Sequence, residues 1–182
     1  TIAGFSHTHL SGTGAGDLYD ISFMPVTLPY KEAEEPLGIH SRFSHADEAA
    51  SAGYYRVLLK DYDINVELTA TERCGIQRYT FPQADAAVIL NLRKAMNWDF
   101  TEDSYVEKVD SVTIQGYRFS DGWARGQRIF FRTRFSRPFE TMRLDSAAVL
   151  KDGKRIGTSV MARFDFKTTK GEQLLVSTAI SG

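Results

Sequence analysis

The sequence predicts an all-β protein, an antiparallel sandwich of two packed sheets, and three observations carry that prediction. Short runs rich in β-branched and aromatic residues, bounded by Gly, Pro, Asp and Ser, recur from about Ile21 onward. Several of these runs alternate with period two. In Ile64-Asn65-Val66-Glu67-Leu68-Thr69-Ala70 the apolar residues take one face, and Ile129, Phe131 and Phe135 oppose Arg128, Arg132 and Arg134, with Phe130 breaking the pattern. Helical crossovers are nearly absent, so the strands are joined in antiparallel fashion rather than through a parallel α/β arrangement.

The strands predicted in order are 54–60, 63–70, 74–81, 86–92, 109–119, 128–135, 141–150, 157–166 and 173–180. Asp152-Gly153 lies between two such runs, and an Asp-Gly pair readily takes the positive φ of a two-residue hairpin turn. The best helix candidate is Ala46-Asp47-Glu48-Ala49-Ala50-Ser51, ended by Gly53. Residues 1–20 are small, polar and rich in glycine, which predicts an irregular segment, and Lys31 to Leu37 reads as an exposed acidic loop. With 182 residues, 42% of them hydrophobic, the chain suits one sizeable core and one domain over residues 1–182.

Charge excludes some partners. The 22 Lys and Arg nearly cancel the 23 Asp and Glu, so no broad field of either sign is available to hold nucleic acid or an anionic membrane. The longest apolar runs, such as Ala86-Ala87-Val88-Ile89-Leu90, are of strand length, against the roughly 20 residues a membrane-spanning helix needs. Cys74 is the single cysteine and reads as a small buried hydrophobe rather than a nucleophile. The start at Thr1 and the stop at Gly182, just after an apolar run, read as cuts in a longer protein.

The most unusual stretch is Gly4-Phe5-Ser6-His7-Thr8-His9-Leu10-Ser11-Gly12-Thr13-Gly14-Ala15-Gly16-Asp17. If Ser6 to His9 is extended, both imidazoles project to one side, as two ligands of a metal or a polar molecule do. A third ligand would have to come from Asp17, Asp20, His40 or His45, which spacing alone does not bring close. Two other roles stand beside a metal site: structural histidines that hold loop backbone, and a surface completed by sequence outside this chain. The glycines do not make a phosphate loop, because no Gly-Lys-Ser/Thr ending and no helix pattern follow them. They permit close backbone approach to a neighbour or a ligand.

Trp98, in the polar Asn97-Trp98-Asp99, and Trp123, after Asp121-Gly122, can each stack on a sugar, as can the Tyr54-Tyr55 pair, although such rings more often pack in a core. Glycosidases usually need two carboxyl groups astride the scissile bond. Glu67, Glu72, Asp110 and Asp165 alternate with apolar neighbours, the usual pattern of a solvated face, and no pair stands out.

Together these motifs resemble the amino-terminal domain of glycoside hydrolase family 92, the exo-acting α-mannosidases. The resemblance rests on Gly4-Phe5-Ser6-His7-Thr8-His9-Leu10-Ser11-Gly12-Thr13-Gly14 with Gly16-Asp17, on Phe43-Ser44-His45 with Glu48, and on Gly53-Tyr54-Tyr55. It continues through Leu68-Thr69-Ala70-Thr71, Arg78-Tyr79-Thr80-Phe81-Pro82, Gly122-Trp123 and Phe135-Ser136-Arg137-Pro138-Phe139. The first motif is highly specific; the later ones persuade as a series.

The resemblance implies a β-sandwich of the galactose-mutarotase-like supersandwich type, truncated at its ends and packed on a carboxy-terminal (α/α)-barrel domain that lies outside this chain. It implies hydrolysis of terminal α-mannosides of glycans with inversion, calcium as cofactor, and export to the periplasm, cell surface or medium of a bacterium. The acid, the base and most calcium ligands are expected in the helical domain, so no catalytic residue and no metal ligand is assigned here. His7, His9, Ser6, Thr8, Gly12, Asp17 and Trp98 are the expected substrate-binding or domain-interface residues. The rival from another class is a stand-alone carbohydrate-binding module, which would present an exposed aromatic platform. A third reading, a small metal-dependent hydrolase using His7 and His9, needs a third protein ligand.

Overall fold

A computed structural model of the chain describes residues 1–8, 18–30, 38–93, 99–122, 125–144, 149–151, 154–157 and 160–182, with 149–151 and 154–157 described by backbone alone. Among them, fourteen strands form two antiparallel sheets. The smaller runs β1 (Ser22–Thr27), β6 (Ala84–Asn91), β13 (Met161–Thr168), β10 (Thr141–Leu144) in spatial order. The larger begins with β11 (Val149–Lys151), β12 (Lys154–Gly157), β7 (Phe100–Lys108), β8 (Thr113–Asp121) and β9 (Gln127–Phe135). It continues with β14 (Gln173–Ser181), β5 (Cys74–Thr80), β4 (Ile64–Ala70), β3 (Tyr54–Leu59) and β2 (Glu48–Ser51). No helix among the described residues is long and apolar enough to cross a membrane.

The sheets meet through aromatic side chains. Phe135 of β9 touches Phe164 and Phe166 of β13, with ring centroids 5.1 and 5.7 Å apart, and meets Phe23 of β1 edge-on at 6.5 Å. All four rings are buried, each stabilising the fold by about 1.5–3 kcal/mol through loss of apolar surface to water. The alternation read in β4 and β9 is real: Ile64 and Val66 are buried, and Phe131, Thr133 and Phe135 face inward while Arg128, Phe130, Arg132 and Arg134 are exposed. In β6, Ala86 to Leu90 are all buried, so both faces of that strand are covered and the run is apolar without alternating.

The structure corrects several local expectations. The segment expected as a helix is a short 3-10 turn, His45–Asp47, followed by β2, whose Glu48 to Ser51 pair with Val57 to Tyr54. Six residues make too few turns to repay helix nucleation, and pairing to β3 wins. Residues 109–112 are a turn in which the Asp110 carboxylate accepts from the Val112 amide at 2.7 Å, so the strand starts at Thr113. The run 141–150 divides between sheets, β10 in the smaller and β11 in the larger, and 157–166 divides likewise between β12 and β13. Sandwiches turn their corners in this way. Strands β1 and β7 complete the sheets without having been assigned a range from sequence. The Asp152-Gly153 hairpin is present as pairing of Lys151 with Lys154, Leu150 with Arg155 and Val149 with Ile156, while the turn residues themselves lie outside the described residues. The Lys31 to Leu37 loop lies outside them too.

Candidate functional site

The amino-terminal segment lies on the inner face of the large sheet. Gln77 of β5 donates to the Phe5 carbonyl at 3.2 Å, and the segment joins β1 through a bridge between Phe5 and Phe23. At Gly75, two residues before Gln77 and on the same face, a Cβ would overlap the His7 ring. Glycine here serves close approach: the strand is bared so that an imidazole can lie on it.

His7 is held on three sides. Its Nδ1 lies 2.8 Å from the Ile21 carbonyl, its amide donates to the Asp20 carbonyl at 3.0 Å, and its ring meets Phe23 edge-on at 5.7 Å. A carbonyl only accepts, so Nδ1 carries the proton and Nε2 is left as an acceptor, 3.5 Å from the Gln77 amide nitrogen. Burial holds the His7 pKa below its ordinary value of 6.5, partly opposed by the bond to Ile21. The ring is therefore neutral at physiological pH.

Beside it opens a groove of 650 Å³, bounded by Ser6 and His7 on one side and by Tyr55, Leu68, Cys74 and Gln77 of the exposed end of the large sheet on the other. The Tyr55 hydroxyl donates to Glu48 at 2.8 Å, and its pKa is pushed up to about 12 by burial and by that carboxylate. Cys74 is half-buried at the rim rather than sunk in the core.

Behind the segment lies a feature that sequence reasoning missed. Arg118, on the inner face of β8, is wholly buried between two buried carboxylates, with Asp20 on Nη1 and Asp99 on Nη2 at 2.7 Å. Its Nε donates to the Thr101 hydroxyl at 2.9 Å, which donates in turn to the Leu92 carbonyl at 2.9 Å. Asp20 also accepts from the Thr8 hydroxyl at 2.7 Å, and its amide donates back to that oxygen at 2.9 Å. Around Asp20 the backbone is left-handed at Leu18, Tyr19 and Ile21, with φ of 73, 76 and 53°. For a β-branched residue such as Ile21 that conformation is strained and must be held by its surroundings. The strand pattern carried no clear signal for it: Arg118 falls in phase with Ile114 and Gly116, but the opposite phase carries Tyr117 and Phe119.

Of the residues expected at the site, Ser6, His7 and Thr8 come together, with the Ser6 hydroxyl donating to the Thr8 carbonyl at 3.1 Å. His9, Gly12, Asp17 and Trp98 lie outside the described residues, as does Trp123. Asp20, considered as a third metal ligand, is instead committed to Arg118 and Thr8. His40 is bonded to the Gly38 carbonyl at 3.0 Å, and His45 pairs with Glu48. Glu67 is held by Arg78 and Tyr54, and Asp165 by Arg163, Arg143 and Thr141.

The profile of the glycosyl hydrolase family 92 N-terminal domain matches residues 1–181. The chain belongs to that family. Solved structures similar to it include a family GH92 α-mannosidase from Bacteroides thetaiotaomicron, at 34% identity and a TM-score of 0.87 over 98% of this chain, determined alone and in complex with mannoimidazole. The fold is shared with a family GH92 inverting mannosidase from Bacteroides thetaiotaomicron VPI-5482, at 22% identity and a TM-score of 0.76 over 98% of this chain. The chain spans 25% of the length of the mannoimidazole-bound enzyme and 24% of the inverting one. Among curated proteins none matches.

Proposed function

We propose that this chain is one β-sandwich domain of a larger exported α-mannosidase, and that the groove beside His7 forms one wall of the cleft where a terminal α-mannoside binds. What carries the proposal is the 34% identity across nearly the whole chain to an α-mannosidase that holds mannoimidazole. The geometry beside His7 suits the role. A neutral imidazole can exchange the long 3.5 Å contact of Nε2 with Gln77 for a sugar hydroxyl, and because the Ile21 carbonyl and Phe23 hold the ring while the Asp20 carbonyl holds the His7 amide, little freedom remains to be lost on binding. Thr8 and Ser6 are already bonded within the segment and act by shaping it.

The chemistry itself falls to an (α/α)-barrel domain that follows, which supplies an acid to protonate the leaving oxygen and a base to activate water on the opposite face, giving inversion. Calcium belongs to that same resemblance. The described part of this chain does not fit it: calcium takes about six to eight oxygens, no three acidic, His or Cys groups among the described residues converge as metal ligands, and the Asp20 and Asp99 carboxylates are engaged with Arg118. Most calcium ligands stay with the helical domain, as the resemblance implies.

A binding module without catalysis finds some support in the aromatic cluster on the outer face of β8 and β9, where Phe130 is 48% exposed. Its rings, however, largely face one another: Tyr117 stacks on Phe119 at 4.3 Å, and Arg128 covers Phe119 at 4.7 Å. That leaves Phe130 as a small platform for a sugar.

The test is hydrolysis of an aryl α-mannoside by the complete protein, with the anomer of released mannose followed by proton NMR. We expect β-mannose as first product, loss of turnover with a calcium chelator, and no turnover by residues 1–182 alone. No hydrolysis of any α-mannoside by the complete protein, or turnover by the isolated chain, would overturn the proposal.

A further inference from the structure

We propose that Arg118 is a positioning residue for His7, acting through Asp20 and the left-handed backbone that Asp20 anchors. The inference rests on the reading that His7 lines the mannoside cleft, and it adds a residue on another strand that makes His7 competent.

Each link is a direct contact. Arg118 holds the Asp20 carboxylate from inside the sheet, with Asp99 and Thr101 fixing the other guanidinium nitrogens. Asp20 ties Thr8 through its carboxylate and amide, and its carbonyl accepts the His7 amide. The next residue, Ile21, offers the carbonyl that takes the Nδ1 proton of His7. That carbonyl points at the ring because Leu18, Tyr19 and Ile21 are left-handed, which non-glycine residues do not hold without external restraint. Arg118 supplies the restraint, and the consequence at the far end is one tautomer of His7, with Nε2 as acceptor. From the opposite side β5 completes the mount: the Tyr79 hydroxyl donates to the Gln77 side-chain Oε1, turning Nε2 of that amide toward Phe5 and His7. Gln77 and Tyr79 are neutral, so the charges behind the ring are those of Asp20, Arg118 and Asp99.

A buried ion cluster is weak evidence for stability, since apolar residues of equal volume often serve as well; its best-attested use is to specify one arrangement. Lysine at 118 would keep the charge but lose the planar fork that reaches Asp20, Asp99 and Thr101 together.

The experiment is a double-mutant cycle in the complete enzyme with Arg118→Lys, His7→Ala and the pair, each checked for native melting. If Arg118 acts through His7, Arg118→Lys lowers kcat/KM for an aryl α-mannoside by tenfold or more, and adding it to His7→Ala lowers kcat/KM no further. Losses that multiply in the double variant would overturn the inference, because a general structural role persists without His7. If His7→Ala alone leaves kcat/KM unchanged, the cleft reading falls, and the positioning claim is then judged by NMR titration of the His7 ring. The expected result is a midpoint below 6.5 in the parent that falls further in Arg118→Lys, because the bond to the Ile21 carbonyl that raises it is loosened while the ring stays buried; a midpoint unmoved by the substitution would refute it. Should Arg118→Lys not fold, Asp99→Asn, which loosens the same guanidinium, is read in the same two ways.

Discussion

Two groups of buried side chains between the sheets are built on different principles. In one, Phe23, Phe135, Phe164 and Phe166 fill the volume with apolar area; in the other, Arg118, Asp20, Asp99, Thr101, Thr133, Thr178 and Gln77 are also buried but joined by directed bonds, such as Thr133 to Thr178 at 2.8 Å. Apolar packing is non-directional and tolerates exchange of similar volumes. Buried polar groups admit one arrangement, because each lost bond strands its partner. The proposed cleft wall is mounted mainly on the second group, through Asp20 and Gln77, and touches the first through Phe23.

The sharpest break in that comparison is Arg118→Met, which strands two buried carboxylates and should cost about 3–5 kcal/mol, measured by denaturant unfolding. Adding Asp99→Asn should recover part of that loss, whereas an apolar cavity is not repaired by neutralising a charge. Next comes Gly75→Ala. Its Cβ meets the His7 ring, so about 1–3 kcal/mol should be lost through overpacking. In the apolar core, Ile64→Val removes one methylene from a wholly buried side chain and should cost about 0.5–1.5 kcal/mol.

A smaller effect is a pH dependence. His7 has a lowered folded pKa, so its contribution to stability is present above the unfolded value of 6.5 and is lost as pH falls through the folded value, where the unfolded chain binds more protons. Melting temperature should therefore drop below pH 6.5, and His7→Gln should flatten that drop. An acid limb identical in the variant would show that other groups set it.

How much of this was legible in the sequence divides along the same line. Alternation in β4 and β9 marked the inward side chains, because one face of each meets apolar residues and the other carries charges. The inward run of β8 did not stand out. Its opposite face carries Tyr117 and Phe119, which stack on each other, so neither phase of the strand reads as the polar one. Asp20 was noticed as a free ligand and Asp99 as part of a polar loop, yet both are buried partners of a cation some 100 and 20 positions away in the chain, and only the fold brings such groups together. The histidine segment was legible by composition; its neutral tautomer depends on a carbonyl whose direction no side-chain pattern encodes.

The most direct test of the cleft wall is the steady-state kinetics of His7→Ala in the complete enzyme, with folding verified by melting. A substantial fall in kcat/KM for an aryl α-mannoside, at retained thermal stability, is the predicted result, since lost transition-state stabilisation appears in that ratio. An unchanged kcat/KM accompanied by a lowered melting temperature would contradict it and leave His7 as a structural residue alone.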